Sequence, residues 1–186
     1  MFAIAQAVSI AATLVVVEQQ SPIGPVRLEP PTGGGNPIVV SVTGVEQDPV
    51  PVTGRWSADD KCLAEIDCFV SSWIEANSSG SLEHLLALRA PAERADVERR
   101  LRQALSLNTS RFNAVRKWSL LGWADYGTFR IVLLVREQDG PPAIYTLPLQ
   151  RVGSHWAQTD ALATDAGVYE IFDRIGKAIL QRHRTP

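Results

Sequence analysis

The chain has 186 residues, 45% hydrophobic and 20% charged, which is enough apolar mass for one domain with a sizeable core and too much for a disordered polymer. A net charge of -2 and a pI near 5.9, with Lys and Arg scattered along the chain, speak against nucleic-acid binding, which needs a basic stripe. Cys62 and Cys68 match no zinc spacing and His84, His155 and His183 are dispersed, so no metal and no other cofactor is expected.

Phe2 to Val17 carries no charge, and only Gln6, Ser9 and Thr13 interrupt its apolar residues. It reads as a secretory signal, although the Lys or Arg that normally opens one is missing. It reads equally as an uncleaved anchor, although a helix of this length spans about 24 Å against a hydrocarbon core of roughly 30 Å. A third reading is an extra buried strand or helix. Residues 1–17 are therefore expected to be a signal or membrane anchor, and the chain to be exported, periplasmic or held at the inner membrane. Residues 18–56 contain Pro22, Pro25, Pro30, Pro31, Pro37, Pro49, Pro51 and the Gly33-Gly34-Gly35 run. Proline fixes φ and removes a ladder donor, so this stretch is predicted to be an extended linker. The β-branched patch from Ile38 to Thr43 is the one part able to dock as an arm on a sheet edge.

Residues 57–186 read as the folded domain. Ser57 followed by Asp60 marks a helix start, and Cys62, Leu63, Ile66, Phe69, Val70, Trp73 and Ile74 form one apolar stripe ending near Asn77. Gly80 breaks this helix, and Ser81 caps a second with Leu82, Leu85 and Leu86 on its inner face. Pro91 opens a third through Val97, Leu101 and Leu105. Periodicity then switches to two. Trp118 to Ala124, Phe129 to Val135, Ala143 to Leu149 and His155 to Thr159 are predicted strands, with Pro148 pushing the third toward an edge. Gly153-Ser154 suits a two-residue hairpin. A final helix from Asp165 to Arg184, capped by Thr164, carries Val168, Phe172, Ile175 and Ile179 on one face.

The run from Trp73 to Leu88, followed by antiparallel strands closing on Gly153 to Asp160, resembles the NTF2-like (SnoaL-like) cone fold over roughly residues 56–160. The resemblance implies an α+β fold in which N-terminal helices pack on a curved, mainly antiparallel sheet, here with an added C-terminal helix. In the enzymes of that family an acid, tyrosine or histidine projects into the cone to move a proton. An anchor, a stalk and such a domain in this order also resemble the layout of secretion-system assembly subunits.

No residue stands out as catalytic. Asp125 and Tyr126 belong to a turn, His84 falls opposite the leucine face of its helix and should point to solvent, and His155 faces away from Trp156. Cys62 and Cys68 cannot bridge within one continuous helix. A disulfide would need the helix to begin after Cys68, and otherwise Cys62 is a core residue and Cys68 a free thiol. Phe129, Ile131, Leu133 and Val135 should fill the core. The opposite face of the same strand carries Arg130, Val132, Leu134 and Arg136, and the preceding strand adds Leu121 and Trp123. A face that should be wet is half apolar, so something covers it: the chain's own termini, a second copy or another protein. Leu121, Trp123, Val132 and Leu134 are thus the candidate partner-binding residues. The expected function is a non-catalytic binding or assembly module of the cell envelope that contacts a protein partner or forms a homo-oligomer. The alternative is a small isomerase, hydrolase or dehydratase acting on an apolar ligand.

Overall fold

The computed structural model describes residues 21–28 and 38–183, and the expectations for residues 1–17 lie outside them. Ser21–Leu28 (β1) and Ile38–Val52 (β2) come first. A helical block follows: Asp60–Ala64 (α1), Ile66–Ser79 (α2), Leu82–Ala87 (α3), a 3-10 turn at Pro91–Glu93, and Arg94–Asn113 (α4). The chain then runs through Lys117–Tyr126 (β3), Phe129–Glu137 (β4), Ala143–Val152 (β5) and His155–Gln158 (β6), and closes with Ala166–Arg182 (α5). The six strands form one antiparallel sheet whose order is the order of the sequence.

The fold is α+β with an antiparallel sheet and a C-terminal helix, but it corrects the NTF2-like expectation. Two strands precede the helices and pair into the same sheet, so the order is not helices first and sheet after. The helices that open the domain cover one face, and the added C-terminal helix, whose docking the resemblance leaves open, covers the other. The stretch read as an extended linker is likewise corrected: it supplies β1 and β2, the latter paired with β3 from Gly44↔Ala124 to Val52↔Trp118. Its prolines misled because Pro22, Pro49 and Pro51 are tolerated near irregularities and on the outer strands.

Local chemistry explains the helix boundaries. The Asp59 carboxylate accepts the Lys61 N–H at 3.0 Å, and the Ser57 hydroxyl accepts the Asp59 N–H at 3.2 Å, so the start signal falls one residue before Asp60. Glu65 is extended (φ -95°, ψ 132°) and separates α1 from α2. That break brings the Cys62 and Cys68 Cα atoms to 5.3 Å and joins the two residues in a disulfide. The free-thiol reading is corrected, because the helix restarts at Ile66 rather than beginning after Cys68. α2 ends at Gly80 in the left-handed region, and Ser81 caps α3 through the His84 N–H. Asp165, not Thr164, caps α5, accepting the Val168 N–H at 3.2 Å.

A bulge in β3 sorts the core. Leu120 pairs with Leu134 and Gly122 with Leu133, leaving Leu121 as the extra residue. Gly122 has φ +128°, and a Cβ there would lie 1.9 Å from the Val45 carbonyl oxygen, so only glycine lets β2 approach. One side of the sheet, with Trp118, Leu120, Trp123, Val132, Leu134, Leu147 and Leu149, packs under the helical block against Phe69, Val70, Trp73 and Leu88. The other side, with Leu121, Ile131, Leu133 and Val135, packs under Val168, Phe172, Ile175 and Ile179 of α5. At the end of α5, Arg182 grips the Glu46 carboxylate at 3.0 and 2.7 Å, and His183 lies 2.5 Å from Asp48. Pro148 was expected to put β5 at an edge. β6 is the edge instead, yet it pairs only with Leu149 to Val152, so β5 has no outer neighbour in the sheet from Ala143 to Pro148.

Candidate functional site

α4 packs mainly on α2 and α3 and stands off from the sheet, leaving a cleft over β5 and β6. Its sequence explains the stand-off: only Val97 of its twenty residues is fully buried, while Leu101, Leu105 and Phe112 are half-buried. The outer chamber has a volume of about 490 Å³ and lies against Arg89, Arg100, Ala104, Thr146, Thr159 and Asp160. The inner chamber, about 270 Å³, reaches Trp73, Arg111, Phe112, Trp118 and Arg136. Arg89, Leu101, Asn108, Tyr145 and Gln158 line both, so the two are one continuous space. It opens beside the part of β5 that β6 leaves uncovered.

Four rings make the inner floor. Trp73 meets Phe112, Trp118 and Tyr145 with centroids at 5.2, 5.5 and 5.3 Å, and Phe112 stacks on Trp118 at 5.0 Å. Edge and offset contacts of this kind add to the burial energy of the rings. The Trp73 indole N–H donates to Gln158 Oε1 at 3.1 Å. Gln158 is itself fixed by its backbone, donating to the Leu88 carbonyl at 2.8 Å and accepting from the Ala90 N–H at 3.0 Å. This bridge also covers the outer edge of β6.

The rim is ionic. Asp160 accepts from Arg89 at 2.7 Å and from Arg100 at 2.5 Å. Burial alone would raise its carboxyl, but the Arg100 hydrogen bond and the Arg89 charge outweigh that and hold it below the ordinary aspartate value. The Glu93 carboxylate takes the Thr159 hydroxyl at 2.6 Å and the Asp160 N–H at 2.8 Å, locking the segment that carries Asp160. Burial pushes the Tyr145 phenol above its ordinary value, only partly offset by the Arg89 charge. Tyr169, at the outer chamber, is raised by burial as well, so the cleft holds its carboxylate charged and both phenols neutral near pH 7.

The four residues nominated from the sequence do not form a surface. Leu121 and Trp123 of β3 and Val132 and Leu134 of β4 are all buried, and the bulge puts Leu121 under α5 while the other three lie under the helical block. The chain's own helices cover the half-apolar face. His84 does not point to solvent: its ring stacks on Trp56 at 3.8 Å and 6°. Asp125 pairs with Arg130 at 2.9 Å, Tyr126 is exposed, and His155 lies 3.5 Å from Asp60. The cleft residues Arg89, Tyr145, Gln158 and Asp160 were missed because they meet only in three dimensions. Arg136 was named in the alternation of β4, and an arginine on a face now known to be roofed was the available signal.

No family model matches the chain, and no curated protein matches it. Among solved structures it is similar to the solution structure of RPA3114, a SEC-C motif containing protein from Rhodopseudomonas palustris, with a TM-score of 0.37 and 12% identity over 52% of this chain and 77% of that one. That neighbour carries a SEC-C motif and is not the NTF2-like family expected, and a likeness this weak supplies no fold or activity to the chain.

Proposed function

We propose that the chain is a non-catalytic binding module of the cell envelope that uses the cleft beneath α4. The observation that carries this reading is the state of the cleft's polar groups. Its one lining carboxylate, Asp160, is tied between two arginines, and its buried tyrosine is pushed away from the pH range in which it could exchange a proton. General acid–base work is favoured by a pKa near the working pH, and the shifts of Asp160 (downward) and of Tyr145 and Tyr169 (upward) run away from it. The aromatic floor offers flat apolar contact instead. The Cys62–Cys68 disulfide supports an oxidising address, since such bonds persist in the envelope and are reduced in the cytosol. Assembly through Leu121, Trp123, Val132 and Leu134 is not part of the proposal, because those side chains lie inside the core.

Thermal-shift screening of small organic compounds, followed by recovery of each stabilising compound, tests the binding role. Compounds recovered unchanged after long incubation support a binding module, and a chemically altered compound would refute the non-catalytic reading. Fractionation of the producing cell tests the address, and a chain confined to the reduced cytosol overturns it.

A further inference from the structure

Two arginines of the cleft have a buried, unpartnered Nε among the described residues, Arg89 and Arg136. Arg89 is held by Asp160 through Nη1, and no such ion pair accounts for Arg136. The carboxylates beside it in sequence are engaged elsewhere: Glu137 alternates to the opposite face of β4 and meets Lys117 at 3.6 Å, and Asp139 meets Arg116 at 3.7 Å. Asp160, at the other end of the cleft, is shared by Arg89 and Arg100. The inner chamber thus places Arg136 and Arg111 beside Trp118, Phe112 and Tyr145 with no carboxylate in its lining. A guanidinium always carries its charge and presents a planar fork suited to carboxylate, sulfonate or phosphate oxygens. A partly buried cation with no counter-ion beside it favours the arrival of an anion.

We infer that the cleft binds a small organic anion with a flat apolar body, its acid group held by Arg136 and its ring laid on the Trp118, Phe112 and Tyr145 rings. The inference rests on the binding-module reading and specifies its ligand class. The inner chamber matches one ring system, and the outer chamber takes the remainder of the molecule. Arg136 is placed for this by register. It pairs with Trp118 of β3 and Ala143 of β5, so its side chain shares a sheet face with Trp118 and lines the chamber beside the rings, next to a small neighbour.

The test uses the full-length chain and two fluorescent probes with closely similar ring systems. One is 8-anilinonaphthalene-1-sulfonate, and the other is N-phenyl-1-naphthylamine, which lacks the sulfonate. The parent should bind the sulfonate roughly tenfold tighter or more, as expected for a charge-assisted contact. Arg136→Gln should abolish that preference and leave the neutral probe's affinity unchanged. Arg136→Lys, which keeps the charge and loses the fork, should fall between. Melting temperature and near-ultraviolet circular dichroism of each variant check that the probes are not reporting a loosened core. Should Arg136→Gln fail to fold, the reduced preference of Arg136→Lys carries the assignment, and loss of both probes in Leu105→Trp, which fills the inner chamber, locates them there. An unchanged preference in Arg136→Lys with binding retained in Leu105→Trp overturns it. Equal binding of both probes by the parent overturns the anion assignment and leaves the binding module standing. An unchanged preference in a folded Arg136→Gln removes Arg136 as the anchor. Failure of the parent to bind either probe overturns the assignment and the cleft-binding reading together.

Discussion

Asp160 does more than one side chain's work at the cleft mouth, because it holds Arg89 from β6's neighbouring segment and Arg100 from α4 in one place. Asp160→Asn should cost about 1–2 kcal/mol, since both guanidinium groups lose a charged acceptor while Arg89 stays mostly buried. The pH dependence gives the sign. A carboxyl whose folded pKa is depressed contributes stability that is complete above its unfolded value and disappears as pH falls through the folded value. The gap in melting temperature between parent and Asp160→Asn should therefore be constant above the ordinary value of 3.8 and close as pH is lowered beneath it. A gap independent of pH would show that the contact acts only through packing.

At the scale of the element, α2 and β3 carry the two positions with least tolerance. Trp73→Ala should destabilise by roughly 3–5 kcal/mol, as for other large aromatic truncations in a core. Trp73→Phe separates packing from polarity: it keeps a ring but leaves the buried Gln158 oxygen without its donor, at about 1–3 kcal/mol. Denaturant unfolding of both variants checks the order. In β3, Gly122→Ala should cost more than about 3 kcal/mol, because the new Cβ meets the Val45 carbonyl and the backbone angle is one that side-chain-bearing residues avoid. Near-parental stability would mean that β2 slides readily past the bulge. The elements themselves were largely legible, since the stripe ending at Ile74, the alternation from Trp118 to Val135 and the face of α5 all follow local periodicity. The pairing of β2 was not, because Gln47, Asp48 and Pro49 sit in an irregularity that hides the alternation, and its partner β3 lies beyond the whole helical block. Nor was the cleft, which depends on how far α4 stands from a sheet that it follows in no local register.

For the whole molecule, the disulfide and the two-sided core set the stability. Cys62 and Cys68 enclose a short loop, so removing the bridge should cost about 2 kcal/mol through the entropy returned to the unfolded chain. Melting of the parent with and without reductant, compared with Cys62→Ser/Cys68→Ser, checks this. Agreement between the reduced parent and the double variant is expected, and a reductant-insensitive parent would show that the bridge adds nothing. The sheet's two cores make the same point about what the sequence hid. Alternation on β4 marked one face as core and the other as half apolar and covered, but a strand cannot say whether its second roof is a partner or its own chain, and here α1–α4 and α5 provide both.

The meander order has a mechanical consequence. Among the described residues, tension from the N-terminal side meets β1 first, at Ser21, where the ladder to Gly44 begins, and would load that ladder one rung at a time. Antiparallel strands pulled from an end peel open; they do not shear as a block. The peel would then pass to β2, again from the end nearest the force, until it met Glu46. There the grip of Arg182 and His183 ties the early strand to the last helix across most of the chain. α5 already packs on β1 and β2, and the ion cluster adds a side-chain tie at that point, so the peel would meet a further hold there.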